Sequence, residues 1–282
     1  MSAPDLDQSL PDPTWVMPHT GQIICLTVFG GAALLFGAYC AYLSATRRSW
    51  LPVLIFIASG FAIMLEPVAD TLGNVQHPAV GQINAFTVDG QPIPWHVLIA
   101  YTWYYGWLSV LMFDRFRART MTPRLWWQIA GGTFAFVLLF EQIPAHHDLW
   151  IYYGKQPLFI GWMPVWMAAA NMASVMIPAL LIYRLLPILI GPRQLLVLAL
   201  LPASVLGAHT FAAIPSYMVI NADPKHVSWL LLEGAGLATC GLTVLAVWVG
   251  IALVHDLIPT DTPAPAKIGR LVDRPANAHT AT

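Results

Sequence analysis

Charge is what this sequence has least of. Only 10% of its 282 residues are Asp, Glu, Lys or Arg, against about a quarter in an ordinary soluble domain. Hydrophobic residues make up 57%, so the chain cannot clothe itself in a water-facing surface, and the lipid bilayer is the solvent it suits. The net charge is -1 and the 13 Lys and Arg are scattered, which excludes a nucleic-acid partner, since phosphate binding needs a concentrated basic face. Cysteine is scarce too. Cys25, Cys40 and Cys240 all fall in apolar stretches and read as small apolar residues, with neither a disulfide framework nor a Cys-based zinc site. The first twenty residues, with Asp5, Asp7 and Asp12, lack the basic start and apolar core of a signal peptide, so the first apolar helix is expected to act as its own insertion signal. No lysine lies in 228–256, which removes the Schiff-base partner a retinal photoreceptor needs. There is no HExxH or HxxHH box, and no inverted repeat of the secondary-transporter kind.

What the sequence does have is long apolar runs. A membrane-crossing helix needs about 20 mostly apolar residues, and seven stretches qualify: 22–44, 51–69, 95–113, 125–143, 158–190, 194–217 and 228–256. The expected fold class is therefore all-α, a polytopic membrane bundle of seven transmembrane helices. Arginines set its orientation, because cytoplasmic loops retain Lys and Arg. Arg47 and Arg48 follow the first helix, Arg115, Arg117, Arg119 and Arg124 the third, Arg184 and Arg193 flank the turn after the fifth, and Lys267, Arg270 and Arg274 follow the last. This places the N-terminus outside and the C-terminus in the cytoplasm, in the cell membrane. The chain divides into an outer N-terminal segment (1–20), a transmembrane domain (21–258) and a disordered cytoplasmic tail (259–282) rich in proline and small residues. The outer loops hold the irregular sequence, Thr71–Trp95 and the run AHHDLWIYYGKQP at Ala145–Pro157, and function collects in such loops.

An ionisable side chain at the bilayer centre costs between about 2.5 and 17 kcal/mol, so each one is a functional candidate. At about 1.5 Å per residue, Glu66 lies roughly 22 Å up the second helix, Glu141 roughly 24 Å up the fourth and His209 roughly 22 Å up the sixth, with Glu233 about 8 Å below the outer end of the seventh. These groups share one layer in the outer third of the membrane. Asp70 follows Glu66 on the same helical face, and Pro67 between them bends the helix. Plainer readings stand beside these: Glu66 as a hydrated acid under the headgroups, Glu233 and Glu141 as helix-end acids, His209 as a packing histidine, and Asn171, roughly 18 Å down the fifth helix, as an interhelical hydrogen bond. Aromatic residues accompany the layer. Trp103, Tyr104 and Trp107 lie deeper than an interfacial belt requires, and Trp150, Tyr152 and Tyr153 come from the loop.

An apolar, aromatic-lined cavity with protonatable acids suits a lipophilic substrate arriving from the bilayer. A desolvated carboxyl group stays protonated and can act as a general acid on an alkene or epoxide. Ring faces can stabilise the developing carbocation, and a second carboxylate can take the final proton. The chain's size, its seven expected helices and the acids Glu66 and Glu233 in the second and last of them resemble the small integral-membrane terpene cyclases of meroterpenoid and indole-terpenoid pathways. The resemblance implies a cyclase or isomerase acting on an isoprenoid-like substrate, with no cofactor and no metal. It makes Glu66 and Glu233 the proton-handling acids, Glu66 as general acid and Glu233 as acceptor. On the residues themselves, Asp70 is expected to orient Glu66, and Trp103, Tyr104, Trp107, Tyr153, Asn171, His209 and Glu141 to border the substrate. Two other readings stay open. One is a non-catalytic lipid-binding or transport protein, whose acids are structural or proton-coupling groups. The other is a metal-dependent membrane oxygenase using the outer Glu141, His146, His147 and Asp148, with Asp70, His77 and His96 approaching from the neighbouring loop.

Overall fold

The structure is a computed structural model that describes Asp12, residues 14–118 and residues 120–256. Most of the expected outer segment 1–20 and all of the expected disordered tail 259–282 lie outside the described residues, as does Arg119.

The chain is helical with a few short strand pairs: α1 (His19–Arg47), α2 (Leu51–Phe61), α3 (Glu66–Gly73), α4 (Trp95–Tyr104), α5 (Trp107–Leu111), α6 (Phe113–Arg117), α7 (Pro123–His146), α8 (Val165–Leu185), α9 (Val197–Ile220) and α10 (Trp229–Asp256). Among the described residues, five helical segments are long and apolar enough to cross a membrane: His19–Arg47, Leu51–Gly73, Val165–Leu185, Gly191–Ile220 and Trp229–Gly250. They show the apolar exteriors of lipid-facing helices, with Leu34 and Leu35 on α1 and Trp229 and Leu230 on α10 at least 74% exposed. A surface so apolar is stable only against hydrocarbon.

The two remaining expected spans take a different form. The stretch 95–113 is divided into α4, α5 and the start of α6. The stretch 125–143 forms one continuous helix, α7, which is 24 residues long. Residues 158–164, expected as the start of the fifth helix, instead form a tight hairpin of β5 (Phe159–Ile160) and β6 (Met163–Pro164). Gly161 turns it at φ +65°, a conformation open to glycine at no steric cost. The fifth helix therefore starts at Val165.

α8 is the central post, packed against α7, α9 and α10. Ala168, Ala170 and Ala173 are fully buried on it, because small side chains let neighbouring helix backbones approach closely. Polar contacts fix the neighbours. The Trp126 indole N–H of α7 donates to the Val247 carbonyl of α10 at 2.9 Å, and Ser216 of α9 shares a 2.8 Å hydroxyl contact with Thr239 of α10. At the break between α4 and α5, Gly106 lies against Ser59 and Ile55 of α2.

A methyl group at Gly106 would collide with the Ser59 hydroxyl and sit 3.1 Å from the Ile55 side chain. Gly106→Ala is expected to destabilise the protein by about 1–3 kcal/mol. A thermal melt of the detergent-solubilised variant should fall by several degrees, and an unchanged melt would mean that α2 and α5 can separate freely.

Candidate functional site

The local sequence around Glu66 builds the first wall. Pro67 has no N–H to give and crowds the carbonyl four residues earlier. The chain answers by tightening into a 3-10 turn over Ala62–Leu65 before α3 begins at Glu66. Asn74 closes α3 in a left-handed conformation, its N–H donating to the Asp70 carbonyl. This short helix places Glu66 and Asp70 one turn apart on one face.

Directly after it, β1 (Val75–Gln76) pairs antiparallel with β4 (Ile151–Tyr152), Val75 opposite Tyr152 and Gln76 opposite Ile151. The pairing does two things. It carries His77 against Leu149, whose carbonyl lies 3.3 Å from His77 Nδ1. It also delivers Tyr152 to the end of α7, where its hydroxyl donates to Glu141 Oε2 at 2.6 Å. Asn171 of α8 donates its amide N–H to Glu141 Oε1 at 2.9 Å, so both oxygens of that carboxyl are satisfied. Glu66 is held in the same manner: the Tyr101 hydroxyl of α4 donates to Oε2 at 2.6 Å, while His77 Nε2 lies 3.3 Å from Oε1 and 3.7 Å from Asp70 Oδ2. Tyr152 lies outside the helical spans. Its burial, and then the neighbouring Glu141 carboxyl, push its phenol well above the ordinary range, so it keeps its proton and remains a donor.

These groups surround a cavity of about 120 Å³. Glu66, Asp70, His77, Tyr101, Glu141, Tyr152 and Asn171 line it together with aromatic and aliphatic residues that include Phe29, Trp103, Tyr104, Phe140 and Met167. Phe136 of α7 also lines it and is 44% exposed. Desolvation strengthens any interaction a polar group makes here and penalises any it lacks. Asp70 Oδ2, the Trp103 indole N–H and the Tyr104 hydroxyl are buried without a hydrogen-bond partner.

Of the residues singled out from sequence, the structure gathers Glu66, Asp70, Glu141, Trp103, Tyr104 and Asn171 around this cavity. Four others lie elsewhere. Glu233 is turned toward the loop before α8, where its Oε2 accepts the Leu158 backbone N–H at 2.9 Å, and it is not among the lining residues. His209 is buried in α9 with its Nδ1 3.2 Å from the Tyr217 hydroxyl. Trp107 falls beyond the α4 break and packs against the main apolar core. Tyr153 lies just past the end of β4 and is not among the lining residues, and burial followed by the Asp70 charge raises its phenol. The exposed His146, His147 and Asp148 do not join Asp70. Among the described residues, the group of metal-capable side chains that converges is Glu66, Asp70 and His77, with one ligand atom of each within 4.8 Å of the others.

Comparison with known protein families, with curated proteins and with solved structures returns no match for this chain.

The position of Glu233 makes it a loop anchor. Glu233→Ala should cost roughly 1–2 kcal/mol by stranding the Leu158 N–H, whereas Glu233→Gln keeps a carbonyl acceptor and most of the stability. Equal melting temperatures for the two variants would show that the hydrogen bond is not what holds the loop.

Proposed function

We propose that this chain is a membrane-embedded isomerase or cyclase that acts on a lipophilic, isoprenoid-like substrate by moving protons between carboxyl groups. One observation carries the reading: carboxyls from α3 and α7, Glu66 and Glu141, border the same aromatic cavity, and each is gripped by a tyrosine hydroxyl at 2.6 Å. The acid side is the Glu66–Asp70 pair with His77, where a proton can be held among three converging groups. The acceptor is Glu141, which takes the part that the sequence assigned to Glu233. Protonation of a substrate alkene creates a carbocation, the ring faces of Trp103, Tyr104 and Phe140 stabilise it, and Glu141 removes a proton from the adjoining carbon. One proton enters and one leaves, so the product has the mass of its precursor. The aromatic wall shields the cation from bulk water.

The cavity's 120 Å³ is small beside the roughly 300–1,000 Å³ of clefts that enclose a whole ligand. It fits the reacting head of a chain whose remainder passes Phe136 into the bilayer. In this reading α4–α6 and α7 complete a bundle of seven crossings, with the N-terminus outside and the C-terminus in the cytoplasm. The arginine distribution supports that orientation.

Lipid extracts from cells expressing the wild type, Glu66→Gln or Glu141→Gln, and fed prenyl alcohols and epoxides, test the chemistry. The wild type is expected to yield a new compound isobaric with its precursor, reduced by roughly 10²-fold or more in both variants. A gain of oxygen mass would move the assignment to an oxygenase. No product from folded wild type would favour lipid binding or transport and sink the catalytic reading. Topology is checked separately, in a background lacking the native cysteines. A cysteine replacing Asp89 should react with an impermeant maleimide in intact cells, and one replacing Arg124 only after lysis. The reverse pattern would invert the bundle.

A further inference from the structure

We propose that Glu66, Asp70 and His77 form a binding site for one divalent cation of the zinc, manganese or ferrous class. The argument starts from the histidine. A carbonyl oxygen can only accept, so with Leu149 O 3.3 Å from Nδ1 the ring proton belongs on Nδ1. Nε2 then presents a lone pair toward Glu66 Oε1 at 3.3 Å and Asp70 Oδ2 at 3.7 Å. Three acceptor atoms converge on one point. Asp70 is 2% exposed and His77 4% exposed, and Asp70 Oδ2 has no hydrogen-bond partner among the described residues.

Three ways of filling that point exist. A proton on a carboxyl oxygen links two of the three atoms and leaves the third unmet. A proton on Nε2 gives an imidazolium whose single charge faces two carboxylates and whose single N–H serves one of them. A divalent cation meets both negative charges and all three lone pairs together. Cations of this class bind imidazole nitrogen and carboxylate oxygen at about 2.0–2.2 Å, which sets neighbouring ligand atoms about 3 Å apart. The spacing found here needs only small rotamer adjustments to reach that. One nitrogen and two oxygens suit zinc, manganese or ferrous iron better than calcium or copper(I).

The surroundings match a metal site as well. Metal-binding histidines commonly donate their other ring N–H to a carbonyl, and their carboxylate partners are themselves hydrogen-bonded. Leu149 O serves His77 in that way, and the Tyr101 hydroxyl serves Glu66. Protein groups close one side of the point and the cavity leaves the other side open, which is the arrangement of a catalytic site.

This inference deepens the proton-transfer reading above and rests on it only for the cation's use. A water bound to the cation would be the acid on this wall, since a bound cation lowers the pKa of its water far below that of bulk water. The water gives its proton to the substrate and becomes bound hydroxide. Glu141 takes a proton from the substrate cation and returns it to the hydroxide, so no oxidant or reductant is consumed.

The experiment is a titration of the full-length, detergent-purified protein, stripped with chelator, using Mn²⁺ followed by electron paramagnetic resonance and Co²⁺ followed by its visible absorption. Wild type and Glu141→Gln are expected to bind one cation per chain. Asp70→Asn and His77→Gln should weaken binding at least ~10-fold, and Tyr101→Phe, which keeps every ligand, should weaken it less. Thermal melts without metal establish that each variant is folded. Where one is not, the Tyr101→Phe titration decides alone, through a weaker affinity at unchanged stoichiometry. No saturable binding by folded wild type, or wild-type affinity in Asp70→Asn and His77→Gln, overturns the site. Binding without any isobaric product overturns the catalytic reading and leaves the site standing. Product formed at full rate by metal-stripped protein rejects the cation-bound water and leaves the carboxyl chemistry intact.

Discussion

Three carboxyl groups within an apolar helical bundle impose the constraint around which the rest of the site is arranged. Glu141 meets it with two donors, the Tyr152 hydroxyl and the Asn171 amide. Glu66 meets it with the Tyr101 hydroxyl at one oxygen, while its other oxygen faces His77 Nε2. Those donors arrive from α4, α8 and the β1–β4 pair, so satisfying two acids fixes five elements relative to one another. Hydrogen bonds to charged groups contribute about 1.5–3 kcal/mol each, and an orphaned buried charge costs more. The bundle therefore has few alternative packings that would keep both acids satisfied. Asp70 Oδ2 is the exception, and its lack of a donor is the physical reason that the site invites a cation or a mobile proton.

Local irregularity follows from the same constraint. A regular helix from Leu51 to Gly73 would run straight past the cavity. The 3-10 turn at Ala62–Leu65, imposed by Pro67, changes the angle at which Glu66 and Asp70 leave the backbone. The two-residue strands β1 and β4 are too short to be stable alone. They persist because Gln156 donates to the Gly73 carbonyl at 2.8 Å and receives the Trp166 indole N–H at 3.2 Å, tying the loop before α8 to both α3 and the central helix. A buried glutamine bridging a loop and a helix is costly unless both ends are paired, and here both are.

Most of the helices were legible because apolar length is a strong signal: α1, α2 with α3, α8, α9 and α10 all fall within the runs that hydropathy marks. The layer containing Glu66 and Glu141 was legible for a related reason, since rise per residue fixes depth along a helix. Azimuth was not. Glu233 lies near the N-terminal end of α10, yet it points at Leu158, and nothing in the spacing of its neighbours distinguishes that direction from the cavity. Tyr152 is placed by a strand whose register is set by a distant partner, Val75, and Tyr153 follows just past its end. His77 joins Glu66 from eleven positions on, past the end of α3 at Gly73 and beyond β1, a separation for which no periodicity speaks. A histidine shortly after an acid pair one turn apart, with a strand-forming Val–Gln between them, was the only clue, and it is a weak one.

The same physics explains why two of the expected spans carry less of the apolar signal than the rest. α7 contains Gln128, Glu141 and Gln142, and the 95–113 stretch contains His96, Tyr101, Trp103 and Tyr104. Glu141, Tyr101, Trp103 and Tyr104 line the cavity, while Gln142 holds the β5–β6 hairpin by donating to the Ile160 carbonyl and accepting the Trp162 N–H. Polar groups needed inside a bundle must replace apolar ones, so the helices that supply them lose hydropathy in proportion to what they contribute. The break at Gly106 has the same origin. With α4 ending at Tyr104 and α5 restarting at Trp107, the chain drops one helical turn of self-pairing, and Tyr105 can sit with its ring 4.8 Å from Tyr101 and 4.7 Å from Tyr104. Departures from a uniform apolar helix therefore concentrate on the segments that build the site, as expected where function competes with regular structure.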